Sequence, residues 1–323
     1  MKKKFVFIAL LALSLFPGRG FADAGSTGWV IFRKVMPVQF MSIAATVPDH
    51  STIIGTLYNP AIGGGMDHGE LFLLSEEGFA DDHLGAMLFS CHTGRWTFTL
   101  GGTYYDAGSG ELNWIANGTL MSRTVVFERD MMGLFSAGCR VSDAVSAGIT
   151  VKGAQSELAE TADATAYAAD AGTVITPAKN LWLSMAIQNV GKSTAFVAKE
   201  DPLPTAAYLG SAYVIGDGNA YVIPSAAVTC YLNEQRQAAD AGIEVGYGRL
   251  SFSGGYHFDS DESSLQMGVE ISAGAFVVGY SFLPGNYLDA VHRLEFVYRY
   301  GAGSGDTARA TATPRRMLAW NNK

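Results

Sequence analysis

From Arg236 to Gly301 the chain repeats one short pattern: apolar residues alternate with small or polar ones, a glycine, proline or acidic turn follows, and the alternation resumes. Leu250, Phe252, Tyr256 and Phe258 share one parity, against Ser251, Ser253, Gly255 and His257. Leu265, Met267, Val269 and Ile271 alternate with Gln266, Gly268, Glu270 and Ser272, and Phe276, Val278, Tyr280 and Phe282 with Ala275, Val277, Gly279 and Ser281. Leu294, Phe296, Tyr298 and Tyr300 alternate with Arg293, Glu295, Val297 and Arg299. Side chains on a strand point to opposite faces with period two, so each run is a strand with one greasy face and one polar or glycine-rich face.

The same rhythm extends upstream. Leu71 to Leu74 and Leu84 to Cys91 read as the first two strands, and Arg95 to Tyr105 sets Trp96, Phe98 and Leu100 against Arg95, Thr97 and Thr99. Glu111 to Val126 reads either as one long strand or as a hairpin turning at Asn117-Gly118. Met132 to Val141, Ala144 to Gly153, Ala164 to Thr176, and Leu181 to Ile187 follow, then Thr205 to Ile215, Ala220 to Leu232 and Ala238 to Gly248. Pro224 lies inside one of these runs, where a proline removes a ladder hydrogen bond. The total is about fourteen, an even number within the range of bacterial outer-membrane barrels.

The residues before the first strand lack this alternation. Met1 to Ala24 reads as a secretory signal: Lys2, Lys3 and Lys4, an apolar core from Phe5 to Phe16, and an Ala22-Asp23-Ala24 cleavage site. Residues 25–66 read as a short helical segment outside the sheet, with Trp29, Phe32, Val35 and Met36 able to share a helical face. Asp49 or Ser51 is a candidate cap for a helix toward Tyr58, Pro60 ends that segment, and Gly63-Gly64-Gly65 reads as a hinge. Residues 67–301 form the barrel and 302–323 a polar tail without strand rhythm.

Alternation alone fits a soluble sandwich as well. The signal and the aromatics decide for a membrane barrel. Trp96, Tyr104, Tyr256, Phe258, Tyr280, Phe282, Tyr298 and Tyr300 sit near strand ends on the greasy parity, where the aromatic girdles of a transmembrane barrel belong. The bilayer core cannot hydrogen-bond backbone groups, so such a sheet must close on itself. Beyond the signal no long apolar run is free of charge, so spanning helices are not expected. The expected fold is all-β: a transmembrane antiparallel barrel with an N-terminal helical hatch in its lumen, in the bacterial outer membrane, with both termini periplasmic. The formal charge of −8 becomes −12 if cleavage follows Ala22, when the four cations Lys2, Lys3, Lys4 and Arg19 leave with the signal. That acidity argues against nucleic acid as a partner. Cys91, Cys139 and Cys230 are odd in number and far apart, and fit neither a disulfide framework nor a zinc site.

Four short motifs carry a resemblance. Leu57-Tyr58-Asn59-Pro60-Ala61 ends the N-terminal segment, and Asp170-Ala171-Gly172 opens a strand. Ile187-Gln188-Asn189-Val190-Gly191 closes one, and Leu203-Pro204 with Gly210 opens the next. In this order they resemble the FadL-like outer-membrane barrels, more closely the PorV/PorQ-type branch. The resemblance implies fourteen strands around a hatch that includes Tyr58, Asn59, Pro60, Ala61, Gly63, Gly64 and Gly65. It also implies either passive uptake of hydrophobic molecules such as long-chain fatty acids or, in the PorV branch, a non-enzymatic role anchoring or handing over secreted or surface proteins. Trp182, Ser184, Gln188, Glu244 and Glu270 fall on the parity that would line the lumen. Expected partners are a hydrophobic ligand, outer-membrane lipid and the barrel-assembly machinery.

Other chemistry is poorly supported. Asn189 to Thr194 contains the second half of a P-loop, but Ala186 stands where its first glycine should be and a loop follows instead of a helix. Asp67-His68 and Asp81-Asp82-His83 lack metal-ligand spacing, and Asn117-Gly118-Thr119 is better read as a turn than as a glycosylation acceptor. No Gly-x-Ser-x-Gly elbow occurs. No enzyme, cofactor or metal is expected.

Overall fold

The structure, a computed structural model, describes residues 28–78, 82–196, 200–217, 219–258, 264–285 and 290–301. The signal and the C-terminal tail expected from the sequence lie outside these residues.

Seventeen strands form in chain order: β1 Gly69–Glu77, β2 His83–Thr93, β3 Trp96–Asp106, β4 Ser109–Ala116, β5 Thr119–Val126, β6 Glu128–Ser142, β7 Val145–Leu158, β8 Ala162–Ala178, β9 Leu181–Ser193, β10 Ala206–Tyr213, β11 Ile215–Asp217, β12 Ala220–Tyr231, β13 Arg236–Tyr247, β14 Leu250–Phe258, β15 Leu265–Ala273, β16 Phe276–Leu283 and β17 Val291–Tyr300. β4 and β5 pair only with each other, and β11 is a short continuation of β10 along β12. The other fourteen are antiparallel neighbours in a closed ring, with β1 on β17 sealing the seam from Gly69↔Tyr300 to Glu77↔His292.

The outer face is the greasy parity. Trp96, Phe98, Leu100, Phe252, Met267, Val278, Leu294 and Phe296 are exposed there, while Ser184, Gln266 and Glu295 on the opposite parity are buried. Burial on the polar parity is the reverse of a soluble sandwich and is what a barrel with an occupied lumen produces. Tight turns at Gly94-Arg95, Asp143-Ala144, Lys179-Asn180, Gly248-Arg249 and Gly274-Ala275 close one rim, and β1, β3 and β9 end at the other, where the connection 107–127 rises. The ambiguous stretch resolves as a hairpin: Asn117 (φ 50°) and Gly118 (φ 78°) make the turn and Trp114 faces Met121. This ribbon lies outside the ring. Pro224 stays in register with Ile243 and sits where β10 gives way to β11, so its missing N–H falls at a break in the neighbouring strand.

Residues 28–66 fill the interior with short helical pieces: α1 Ile31–Lys34, α2 Met41–Ala44, 3-10 turns at Pro48–His50 and Ile53–Leu57, and α3 Ala61–Gly65. Neither Asp49 nor Ser51 caps a helix through its side chain; the Ser51 hydroxyl donates to Ala44 O (2.8 Å) and Thr52 O (2.9 Å) instead. Gly63, Gly64 and Gly65 do not form a hinge, since they lie within α3 and are buried. The segment descends the barrel. Gly28 lies beside Asp201 and Trp29 beside Phe196 (5.7 Å) at the long-loop rim, whereas Met66 leads into β1 at the tight-turn rim. The first described residue therefore lies at the long-loop rim and the end of β17 at the tight-turn rim, while the termini themselves, expected on one side, lie outside the described residues.

Candidate functional site: the filled lumen

The small residues of the polar parity form a seat. Thr97, Gly138, Gly148, Gly172 and Ala186 stand side by side in register across β3, β6, β7, β8 and β9. Asn59, Pro60 and α3 rest on this belt: a Cβ on Gly138 would collide with Gly64 N, one on Gly148 with Pro60, and one on Gly172 with the Asn59 carboxamide oxygen. From the other side, a Cβ on Gly64 would lie 2.6–2.7 Å from the Cys139 backbone. Backbone packs against backbone here, which only glycine permits. Asn59 closes the contact, accepting from Ala61 N (3.1 Å) and donating to Thr173 O (3.3 Å). The Gln188 carboxamide donates to Tyr58 O, the Tyr58 hydroxyl donates to Val35 O, and Arg140 Nη2 donates to Gly65 O (2.9 Å). Burial pushes the Tyr58 phenol well above its ordinary range.

On the opposite wall Ser225, Gly242, Gly255 and Gln266 are also in register, across β12 to β15. Phe40 packs over Gly242 and Gly255 and stacks on His257 (4.7 Å), and Ser42 meets Ser225 (2.6 Å). Here carboxylates and carboxamides hold the backbone. Glu295 accepts from Val38 N (3.2 Å), Glu70 accepts from Ile53 N (2.7 Å), and Gln266 donates to Pro37 O and Val38 O (3.0 Å each). Glu244 accepts from Gln39 Nε2 (2.5 Å) and Tyr221 OH (2.8 Å).

Ion pairs stiffen both rims and the wall. Lys34 Nζ reaches Asp82 (2.6 Å) at the long-loop end. Burial pulls its pKa down, but the hydrogen bond to Asp82 and the Tyr105 phenol more than offset this and hold it above the usual lysine range. His50 meets the Tyr221 ring edge to face (4.5 Å), and burial with the nearby Arg299 charge lowers it to about 4. His68 bridges Asp67 (3.0 Å) and Glu70 (2.9 Å); burial opposes its charge, and hydrogen bonds to these two carboxylates raise its pKa overall. Within the wall Lys152 pairs with Asp170 (2.6 Å) and donates to Asn189 Oδ1 (3.0 Å). Asp170 accepts from Asn189 N (2.7 Å), which stabilises Asn189 at φ 56°, where the β8–β9 register shifts. The would-be P-loop lysine, Lys192, lies inside β9.

All five residues expected to line the lumen lie on the inner parity. Ser184 meets Thr46 (2.7 Å), Gln188 and Glu244 touch the interior segment as described, Trp182 is buried, and Glu270 is half-buried. The glycine belts, Gln266, Glu295 and Glu70 were not singled out from the sequence. Their signal was present as glycine, glutamine and glutamate on the polar parity, but alternation does not show which register positions align across strands. Among the described residues, no group of three or more His, Cys, Asp or Glu is arranged to hold a metal, and no helix is long and apolar enough to cross a membrane.

A closed fourteen-stranded antiparallel ring, greasy outside and filled by its own N-terminal segment, has the architecture of an outer-membrane barrel. Among solved structures the chain is similar to the Pseudomonas putida toluene transporter TodX, with 11% identity over 75% of this chain and 92% of that one and a TM-score of 0.53. It is also similar to a TodX deletion mutant described as a monoaromatic hydrocarbon channel, with 11% identity over 78% and 94% and a TM-score of 0.52. This likeness supports the FadL-like fold and does not reach the PorV/PorQ-type branch. No family model matches the chain, and no curated protein matches it.

Proposed function

We propose that the protein is an outer-membrane channel for the passive passage of hydrophobic small molecules, with residues 28–66 acting as a hatch. The observation that carries this reading is a closed barrel whose lumen is occupied by a separate, non-strand segment seated on glycine. Displacing that segment opens a passage without breaking a single strand ladder. Transfer of apolar area between sites, worth roughly 25 cal/mol per Å², is a sufficient driving force, and no bond chemistry is needed. Tyr58, Asn59, Pro60 and Ala61 with the three glycines of α3 would form the gate, and Trp182, Ser184, Gln188, Glu244 and Glu270 would line the opened lumen. Long-chain fatty acids are the solutes the sequence motifs imply, and the toluene transporter of similar fold adds monoaromatic hydrocarbons to the candidates. The test is uptake of labelled oleate and labelled toluene by outer-membrane-bearing cells with and without the protein; equal uptake of both would overturn the reading.

The ribbon favours a second reading. Leu112, Trp114, Ile115 and Leu120 are exposed on β4 and β5 at the long-loop rim, beyond the barrel wall. An apolar finger there suits an anchor for a secreted or surface protein. Stable co-purification of one partner, lost when residues 109–126 are replaced by a short turn, would support it.

A further inference from the structure

Six of the acids facing the lumen fall into two groups. Glu76 and Asp170 are paired with opposite charges on the wall itself, Arg293 and Lys152, and Asp240 is hydrogen-bonded there to His257. These pairs stay intact whatever the interior segment does. Glu244, Glu270 and Glu295 have no such partner. Glu270 and Glu295 flank Gly279 in register across β15, β16 and β17, and the cation within electrostatic reach of both is Arg299, already paired with Glu70 (3.0 Å). Contacts to two of these three acids come from the hatch: Val38 N and Thr52 reach Glu295, and Gln39 reaches Glu244. Withdrawing the hatch strips those donors away and leaves four carboxylates facing the passage with one guanidinium among them. The belt opposite, Thr97, Gly138, Gly148, Gly172 and Ala186, carries no charge; on the same wall Arg140, which the hatch covers through Gly65 O and Met66 O, adds one cation and the buried Asp130 one further acid, so the inward-facing charge stays acidic.

Resting on the channel reading, we propose that Glu244, Glu270 and Glu295 select solutes by charge: the opened lumen passes neutral or cationic apolar molecules and rejects anionic ones, so a fatty acid crosses only as the neutral acid. A second negative charge brought beside buried carboxylates is repelled strongly because the protein screens it less than water does.

The experiment compares three probes of one chain length, oleate, oleyl alcohol and oleylamine, each labelled. Initial uptake is measured in cells expressing the full chain, after subtraction of uptake by cells lacking it. The alcohol and the amine should enter about tenfold faster than oleate, the effect of one added like charge at about 10 Å in a medium of effective dielectric about 20. The triple variant Glu244→Gln, Glu270→Gln, Glu295→Gln should raise the ratio of oleate to alcohol entry several-fold, whatever the change in hatch contact does to the two absolute rates. Oleate entering as fast as the alcohol in the unaltered protein overturns the inference, as does a triple variant with the original ratio. Should that variant fail to reach the membrane, Glu270→Gln alone is read the same way. If none of the three probes exceeds the background, the channel reading itself falls and takes the inference with it.

Discussion

The two sides of the lumen hold the interior segment by different means. On β6 to β8 the contact is backbone on backbone, made possible by Gly138, Gly148 and Gly172, and its hydrogen bonds come from neutral carboxamides and Arg140. On β13 to β17 Phe40 and Val38 also press on glycines, Gly242, Gly255 and Gly268, but the hydrogen bonds come from the side chains of Glu244, Gln266 and Glu295. A backbone seat is specific in shape and indifferent to pH. A carboxylate seat depends on protonation and solvent.

Several substitutions break or sharpen this contrast, and thermal unfolding of the folded barrel, read by its gel mobility, reports each. Lys152→Ala should be the most damaging, because it leaves Asp170 buried and unpaired, a loss of about 3–5 kcal/mol. Replacing both by Met and Leu should recover most of that loss. Gly148→Val should cost about 1–3 kcal/mol by pushing Pro60 off the belt, although valine is a good strand residue. The control is Gly133→Val on the outer face, where a Cβ meets nothing within 4 Å, and it should be tolerated. Equal effects at the two glycines would sink the seat. Asn59→Ala should cost about 1–2 kcal/mol through the lost bonds to Thr173 and Ala61. The last effect appears only on acidification. His50 is depressed from its ordinary value near 6.5 to about 4 in the folded protein. Its contribution is therefore complete above about pH 6.5 and declines as pH falls toward 4, where a solvated imidazole would take up a proton. His50→Gln should flatten the thermal midpoint across that window.

Much of the ring was legible because lipid and lumen impose opposite demands on alternate residues. Leu265 to Ser272 and Leu294 to Tyr300 declare both faces in a single reading, and Asn117-Gly118 marks a hairpin by its turn chemistry. The interior was much less legible. Residues 28–66 form helical pieces of three to five residues, too short for a 3.6-residue period to register. Gly63, Gly64 and Gly65 resemble a flexible link until Cys139 and Pro48 are seen pressed against them. The two glycine belts depend on register between strands far apart in sequence, which no single run encodes. The inward parity of Trp182, Ser184, Gln188, Glu244 and Glu270 was legible from alternation alone. Glu295 followed the same rule, but nothing local marked it as the acid that would reach Val38.

The downward course of residues 28–66 sets an order for biogenesis. The segment joins β1 directly at the tight-turn rim, and β1 is one half of the β1–β17 seam. A cylinder that sealed first would have to admit this segment through a mouth already narrowed by its own side chains. The simpler sequence is for the strands to curl around a segment already laid in place, with the first and last strands meeting only once it is enclosed.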